Sequence, residues 1–514
     1  MLEYKKRIQR IISLSIILIG INIILTMFYY FQIVKTNGTF NYVLDDAYIH
    51  LSMAKNLQSQ GHWGIRNTDF TNSSSSPLWT TIIAIFPKID SMIPFYLNFL
   101  LGSILIIYLF YLISNYIKSV YLSFLITLIG ILAVPIVPLY FTGLEHILHI
   151  LLMLYMIEWL NRYLKKDKVD YPDATFMIFL FAPIVRLESI FFIIPFIIYL
   201  LYKKSKKQAL IIIFLSTIVL ICFSILSLSK GWLLFPNSIY LKSSVSLNFL
   251  ENFKFFILQI PKQIYLAPHM AIIILIALIT IYYSKKSNSK NLLILNLIIL
   301  VAVLLCLQFG RTRWFYRYEA FLVAISIFQI IINLENLKIY LSKSQIIIYF
   351  LILSVPIFYR GLESYSKIII ATNNIYSQPL KTAEFILRYY KNSEVALNDI
   401  GAASLYTNAK IIDLAGLANI EVARLIKDKK FNSDEIIRIT KNSAFVAVFN
   451  NWFQNEKNLN GKLIKSAAMI IDNNFILGND TLTFFTNDTI KSNKLKDNFR
   501  DFTKTKQPFK IIYY

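Results

Sequence analysis

The chain has 514 residues, of which 56% are hydrophobic and only 16% charged, a balance that excludes an ordinary soluble globular protein. A formal net charge of +23 would point a soluble chain toward nucleic acid, but here Lys and Arg fall in short clusters between apolar runs, as orientation signals of a membrane protein do, so no nucleic-acid partner is expected. Cys222 and Cys306 each lie inside an apolar run, so no disulfide framework or thiolate metal site is expected.

In chain order, Lys5, Lys6, Arg7 and Arg10 precede an apolar run over 11–31 that is long enough to span a bilayer. It lacks a small-residue cleavage site, which predicts an uncleaved first helix with its N-terminus inside. The polar stretch 34–93 is then the first outer loop. Further apolar runs at 94–114, 120–139, 144–161, 174–186, 187–202, 209–228, 268–283, 291–309, 318–334 and 345–359 predict about eleven crossings. Arg186 and Glu188 interrupt the stretch 174–202. Reading it as two crossings puts Arg162/Lys165/Lys166/Lys168, Lys203/Lys204/Lys206/Lys207 and Lys285/Lys286/Lys290 on the side of the N-terminus. The same parity carries 360–514 outside.

The expected architecture is therefore a polytopic α-helical membrane domain, 1–359, followed by an extracytoplasmic soluble α/β domain, 360–514. In the second part, β-rich runs at 394–397, 410–413, 444–449 and 482–485 alternate with helical patterns at 380–391, 421–427 and 433–440. A domain of this size can bury its own core.

The candidate reactive centre is Asp45 and Asp46, adjacent carboxylates just beyond the first apolar segment, where a partly dry setting tunes acids. The same spacing also reads as a helix N-cap at the start of Ala47-Tyr-Ile-His-Leu. Other polar groups assigned to the same face are Glu145 with His146 and His149, Arg186 with Glu188, the segment 235–242 with Asn237, Tyr240 and Lys242, the arginines Arg311, Arg313 and Arg317, and Asp399. Acids beside several arginines suit a polar substrate carrying phosphate. Each group has a plainer reading: helix-to-helix hydrogen bonding for the two histidines, a rim ion pair for Arg186 and Glu188, and interfacial anchoring for the arginines beside Trp314 and Tyr316. HExxH spacing is absent, and no Gly-rich phosphate loop argues for a nucleotide-driven pump.

Asp45-Asp-Ala-Tyr-Ile-His-Leu-Ser-Met-Ala-Lys-Asn-Leu57 and Ser76-Pro-Leu-Trp-Thr80 resemble the first outer loop of GT-C glycosyltransferases, closest to the bacterial arabinofuranosyltransferase-like and mannosyltransferase-like branch. Thr142-Gly-Leu-Glu145, Arg186-Leu-Glu188, Pro236-Asn-Ser-Ile-Tyr-Leu-Lys242, Arg317-Tyr318, Asn398-Asp-Ile-Gly401 and Ile412-Asp-Leu-Ala-Gly-Leu417 follow in similar order, so the likeness spans most of the chain. Two stretches depart from the branch: Asn72-Ser-Ser-Ser-Ser76, and His146 after Glu145.

The resemblance implies an inner-membrane, multi-pass glycosyltransferase that uses a polyprenyl-phosphate sugar donor and a glycan, lipid or protein acceptor on the outer face. It maps the base onto Asp45, with Asp46 in support. Substrate contacts fall to His50, Trp79, Glu145, Arg186, Glu188, Asn237, Tyr240, Lys242, Arg311, Arg313, Arg317 and Asp399. The departing phosphate calls for guanidinium groups or a divalent cation, Mg, Mn or Ca. One carboxylate acting on one displacement predicts inversion. The rival reading is a transporter or flippase of lipid-linked saccharides, in which the same charges line a path.

Overall fold

The computed structural model describes residues 2–65, 69–166, 174–242, 249–449, 459 and 461–514. Among them, six helices are long and apolar enough to cross a membrane: Tyr4–Lys35, Ile93–Tyr116, His146–Lys165, Lys206–Ser229, His269–Lys286 and Lys290–Phe309. Ala320–Ile332 and Leu334–Tyr340, bent by 53° at their junction, make a seventh if taken as one span. The chain is thus a multi-pass helical membrane protein carrying a small C-terminal sheet.

Among the described residues, six or seven of the eleven expected crossings reach full length; the crossing expected at 345–359 falls in the helix Lys343–Ile375, whose side chains at 346–353 lie outside the described residues. In the region expected as a hairpin, the helix Ile178–Val185 holds eight residues, roughly 12 Å of rise against a hydrocarbon core of about 30 Å. Arg186 then breaks the helix with an extended backbone before the apolar segment Leu187–Tyr202. Val120–Ala133 likewise ends just before Pro135. In each case a charge or a proline interrupts an apolar run that composition alone reads as continuous.

Polar side chains join three of the spanning helices from within. Asn296 Nδ2 donates to Asn333 Oδ1 at 3.0 Å and to Ser284 Oγ at 2.9 Å, and Gln329 Nε2 donates to Asn296 Oδ1 and Thr280 Oγ1, both at 3.0 Å. Such groups hold membrane helices together where burial against lipid supplies little drive.

A capping box at Ser342 and Gln345 opens the helix Lys343–Ile375, which runs roughly 50 Å from the helical part to the C-terminal domain. The boundary expected at 359/360 falls inside this helix. There Gly361 lies against Val120–Ala133 so closely that a Cβ would sit 2.1 Å from the Leu132 carbonyl oxygen, which requires glycine.

The C-terminal strands are β1 (Glu394–Leu397), β2 (Lys410–Asp413), β3 (Val446–Phe449), β4 (Ile464–Ile470), β5 (Thr481–Thr486) and β6 (Lys510–Tyr513), in the order β2-β1-β3-β5-β4-β6. The first three are parallel and the rest antiparallel. Sequence reading finds β1, β2, β3 and β5 but not β4 or β6, nor the helices Phe249–Leu266 and Thr489–Phe502. Lys465-Ser-Ala-Ala468 gives β4 few of the branched or aromatic residues that mark a strand. The domain's core is aromatic: Phe385 stacks on Phe499 with ring centroids 4.1 Å apart, and Phe445 and Phe484 close around them.

Candidate functional site

The polar loop after the first spanning helix folds into the helix Asp46–Gln60, and this helix meets the short helix Gly401–Tyr406 of the C-terminal domain. Asp45 occupies the N-cap position of the first helix but makes no side-chain cap to it. Its carboxylate instead accepts from two backbone N–H groups of the other: Gly401 to Oδ2 at 2.6 Å and Ala402 to Oδ1 at 2.9 Å. A second link follows where Ser52 Oγ donates to the Ser404 carbonyl at 3.2 Å.

Gly401 approaches so closely that a Cβ would stand 2.2 Å from the Asp45 carbonyl oxygen and 2.7 Å from Oδ2. Gly401→Ala is therefore expected to undock the loop, removing two charge-assisted bonds worth about 1.5–3 kcal/mol each. Thermal unfolding of the purified protein should move down by several degrees relative to Gly20→Ala, whose added methyl meets nothing within 4 Å. Equal unfolding temperatures for the two variants would refute the docking role.

Burial raises the Asp45 carboxyl to about 6, with Asp46 and Asp413 adding like charge and the two backbone N–H groups opposing. Asp413 is pushed up to about 6 by its own burial, although it accepts from Ala415 N at 2.8 Å and Ala418 N at 2.6 Å. Asp399 is held well above the usual range by burial and by Asp45, Asp46 and Asp413. The C-terminal domain thus adds two acids to the pair from the first loop.

Asp46 pairs with Arg317, whose Nη2 donates to Oδ2 at 2.6 Å and to the Tyr318 hydroxyl at 3.0 Å. Arg317 is 3% exposed, and its Nε and Nη1 have no hydrogen-bond partner among the described residues. The Tyr318 ring lies between two guanidinium groups, 4.8 Å from Arg317 and 5.4 Å from Arg186. Arg186 is satisfied, donating to Glu188 through Nε at 3.2 Å and Nη2 at 2.6 Å, and to Glu145 through Nη1 at 2.7 Å. Glu145 keeps Oε2 buried and without a partner among the described residues. Arg186, Glu188, Arg311 and Tyr318 line a cavity of about 750 Å³ together with Lys262, Gln263 and an apolar wall of Phe191, Phe235 and Phe309.

The turn supplying these arginines is strained. Arg313, Trp314, Phe315 and Tyr316 all have φ between 48° and 68°, in a region that costs an L-residue about 1–2 kcal/mol. Buried Glu319 and Arg360 hold it: Arg313 N donates to Glu319 Oε2 at 2.9 Å, and Arg360 donates to Glu319 Oε1 at 3.0 Å and to the Tyr316 carbonyl. Glu319 also lies 3.3 Å from His269. The sequence reading named none of Glu319, Arg360 and Asp413 as site residues, although Asp413 lies within the segment 412–417 that carries part of the resemblance. Glu319 and Arg360 are charges beside or within apolar runs, and that was the signal available.

Not every expected residue joins the cluster. His50 Nδ1 bonds Thr80 Oγ1 at 2.7 Å, and burial holds its imidazole below the usual range despite Glu145 and Asp46 nearby. Trp79 is fully buried and donates from Nε1 to the Gly143 carbonyl at 3.1 Å, which makes it part of the loop's packing. Asn237 ties the membrane part to the C-terminal domain, donating from Nδ2 to the Gly416 carbonyl at 2.9 Å. Tyr240 lies under Lys427 at 5.4 Å. Arg313 engages through its backbone while its side chain is exposed. The Lys242 side chain lies outside the described residues.

His149 Nε2 bonds Ser189 Oγ at 3.0 Å, whereas His146 faces Arg186 and the edge of Tyr318, so the two imidazoles serve different neighbours. Among the described residues, no three or more His, Cys, Asp or Glu side chains converge as a metal-binding group.

A family model described as a domain of unknown function, DUF8728, matches residues 370–486. The match takes in the end of the connecting helix and β1 through β5, with Asp399, Gly401, Ala402 and Asp413. No curated protein matches the chain.

Proposed function

We propose that the chain is a membrane glycosyltransferase of GT-C type that moves a sugar from a polyprenyl-phosphate donor to a cell-envelope acceptor on the outer face of the cytoplasmic membrane. In this reading the short and bent apolar helices complete about eleven crossings, and the C-terminal domain is extracytoplasmic. The observation that carries it is the juxtaposition of the Asp45/Asp46 pair with a buried arginine, Arg317, that retains donors unpartnered among the described residues and whose neighbour Tyr318 lines a part-apolar, part-basic cavity.

A sugar hydroxyl needs a carboxylate to take its proton as the glycosidic bond forms, and Asp45 is the proposed base. The leaving polyprenyl phosphate gathers negative charge, which Arg317 and Arg311 meet while the apolar wall accepts the first isoprene units. Asp46 orients Arg317. With a single displacement at the anomeric carbon, the product has inverted configuration.

Detergent-purified protein incubated with polyprenyl-phosphate mannose, arabinose and glucose donors and an envelope extract is expected to release polyprenyl phosphate from one of them. Movement of an intact lipid-linked saccharide across vesicles, without release, would replace this reading with transport.

A further inference from the structure

We propose that a second cavity, separate from the basic one, is the saccharide subsite for the acceptor; this rests on the transferase reading above. Its volume is about 1010 Å³, and it lies where the first outer loop, the end of the helix Lys206–Ser229 and the C-terminal segment 418–420 meet. A concave space of this size takes a small molecule or a few sugar rings, whereas a protein partner needs a broader surface.

The lining has the two kinds of group that a sugar ring requires. A pyranose or furanose presents one face of C–H bonds and a rim of hydroxyls, so its receptor combines aromatic rings with hydrogen-bonding groups. Trp63 meets Phe223 edge-on with centroids 5.6 Å apart, and Phe70 meets Trp232 edge-on at 6.2 Å, so neither pair is stacked face to face. Asp69, Lys230 and Asn419 stand in the same wall. Trp63 itself lines the groove, and its buried Nε1 has no acceptor among the described residues.

Position argues for the acceptor rather than the donor. A small cavity between the two shares the wall residues Pro77, Ile184 and Phe223 with this groove, and Ser75, Leu187 and Phe235 with the basic cavity. The groove and the basic cavity are therefore neighbours across one shared wall, which places a glycan seated here close to the basic site. The charged lining and the contribution from the C-terminal domain distinguish it from an acyl-chain groove.

The test uses the full-length protein in detergent without donor, titrated with lipid-free mannan, arabinan, glucan, galactan and amino-sugar oligosaccharides while tryptophan fluorescence is followed. At least one class is expected to bind, with Trp63→Ala and Trp232→Ala each weakening it by about tenfold, as loss of one stacking face implies. Trp232→Phe keeps a ring and should retain most of the affinity, which guards against misfolding of the alanine variant. Saccharide binding lost in these variants, with no polyprenyl phosphate released from any donor, would uphold the groove while removing the transferase reading. No binding by any oligosaccharide, or binding unchanged in both alanine variants, would overturn the groove.

Discussion

Asp45→Asn is expected to slow sugar transfer by about 10²–10⁴-fold, the range for loss of a positioned general base, while the protein stays folded and membrane-inserted. Asparagine offers the Gly401 and Ala402 N–H groups only one oxygen, so part of the docking contact goes with the charge. The pH profile separates the two effects. With the Asp45 carboxyl at about 6, wild-type kcat/KM should fall as pH drops below 6, because a protonated carboxyl cannot accept the hydroxyl proton. Stability moves the other way. A folded-state pKa above the ordinary value favours the folded state as pH falls from about 7 through 6, and the gain levels off near pH 4. Loss of activity at pH 5 without loss of unfolding temperature is therefore the signature of the base. Gly401→Ala, which keeps the carboxylate but undocks the contact that buries it, should be slower and should shift its acid limb down toward the ordinary carboxylate range. Near-normal turnover in Asp45→Asn would remove Asp45 from the mechanism and leave Asp46 and Glu145 to be examined.

This dual use of Asp45 shows where the sequence was readable and where it was not. Local pattern marked a helix starting at Asp45 or Asp46, and the structure begins one at Asp46. It could not show that the carboxylate serves a helix 356 residues further on, because a cap between distant segments leaves no local spacing. Apolar runs located the membrane helices, but run length cannot register a break such as the one at Arg186, whose ion pairs with Glu145 and Glu188 depend on tertiary contact. Arg311, Arg313 and Arg317 look alike in sequence. The left-handed turn separates them, leaving Arg313 exposed while Arg311 reaches the cavity and Arg317 reaches Asp46. Strands rich in Val, Ile and Phe were legible; β4, built partly from serine and alanine, was not.

Arg317→Met should reduce kcat/KM for the polyprenyl-phosphate donor by about 10- to 100-fold, the equivalent of roughly 1.5–3 kcal/mol for a lost charge-assisted contact. Arg317 is a better candidate for this contact than Arg186. Both are buried, but every guanidinium nitrogen of Arg186 already donates to Glu145 or Glu188, whereas Arg317 has Nε and Nη1 unpartnered among the described residues. Methionine fills similar space, so the change tests charge more than packing. Arg162→Met is the matched control, since Arg162 is half exposed and pairs only weakly with Glu158 at 3.7 Å. If Arg317 merely neutralised Asp46, Asp46→Asn would abolish the need for it, and adding Arg317→Met would do no further harm. If Arg317 meets the donor phosphate, the rise in donor KM should persist in the Asp46→Asn background. Steady-state kinetics on the four proteins of that cycle decide between the two, and a donor KM unaffected by Arg317→Met in both backgrounds would move the phosphate away from Arg317 to the cavity that Arg311 lines, with Arg311 as the next residue to change.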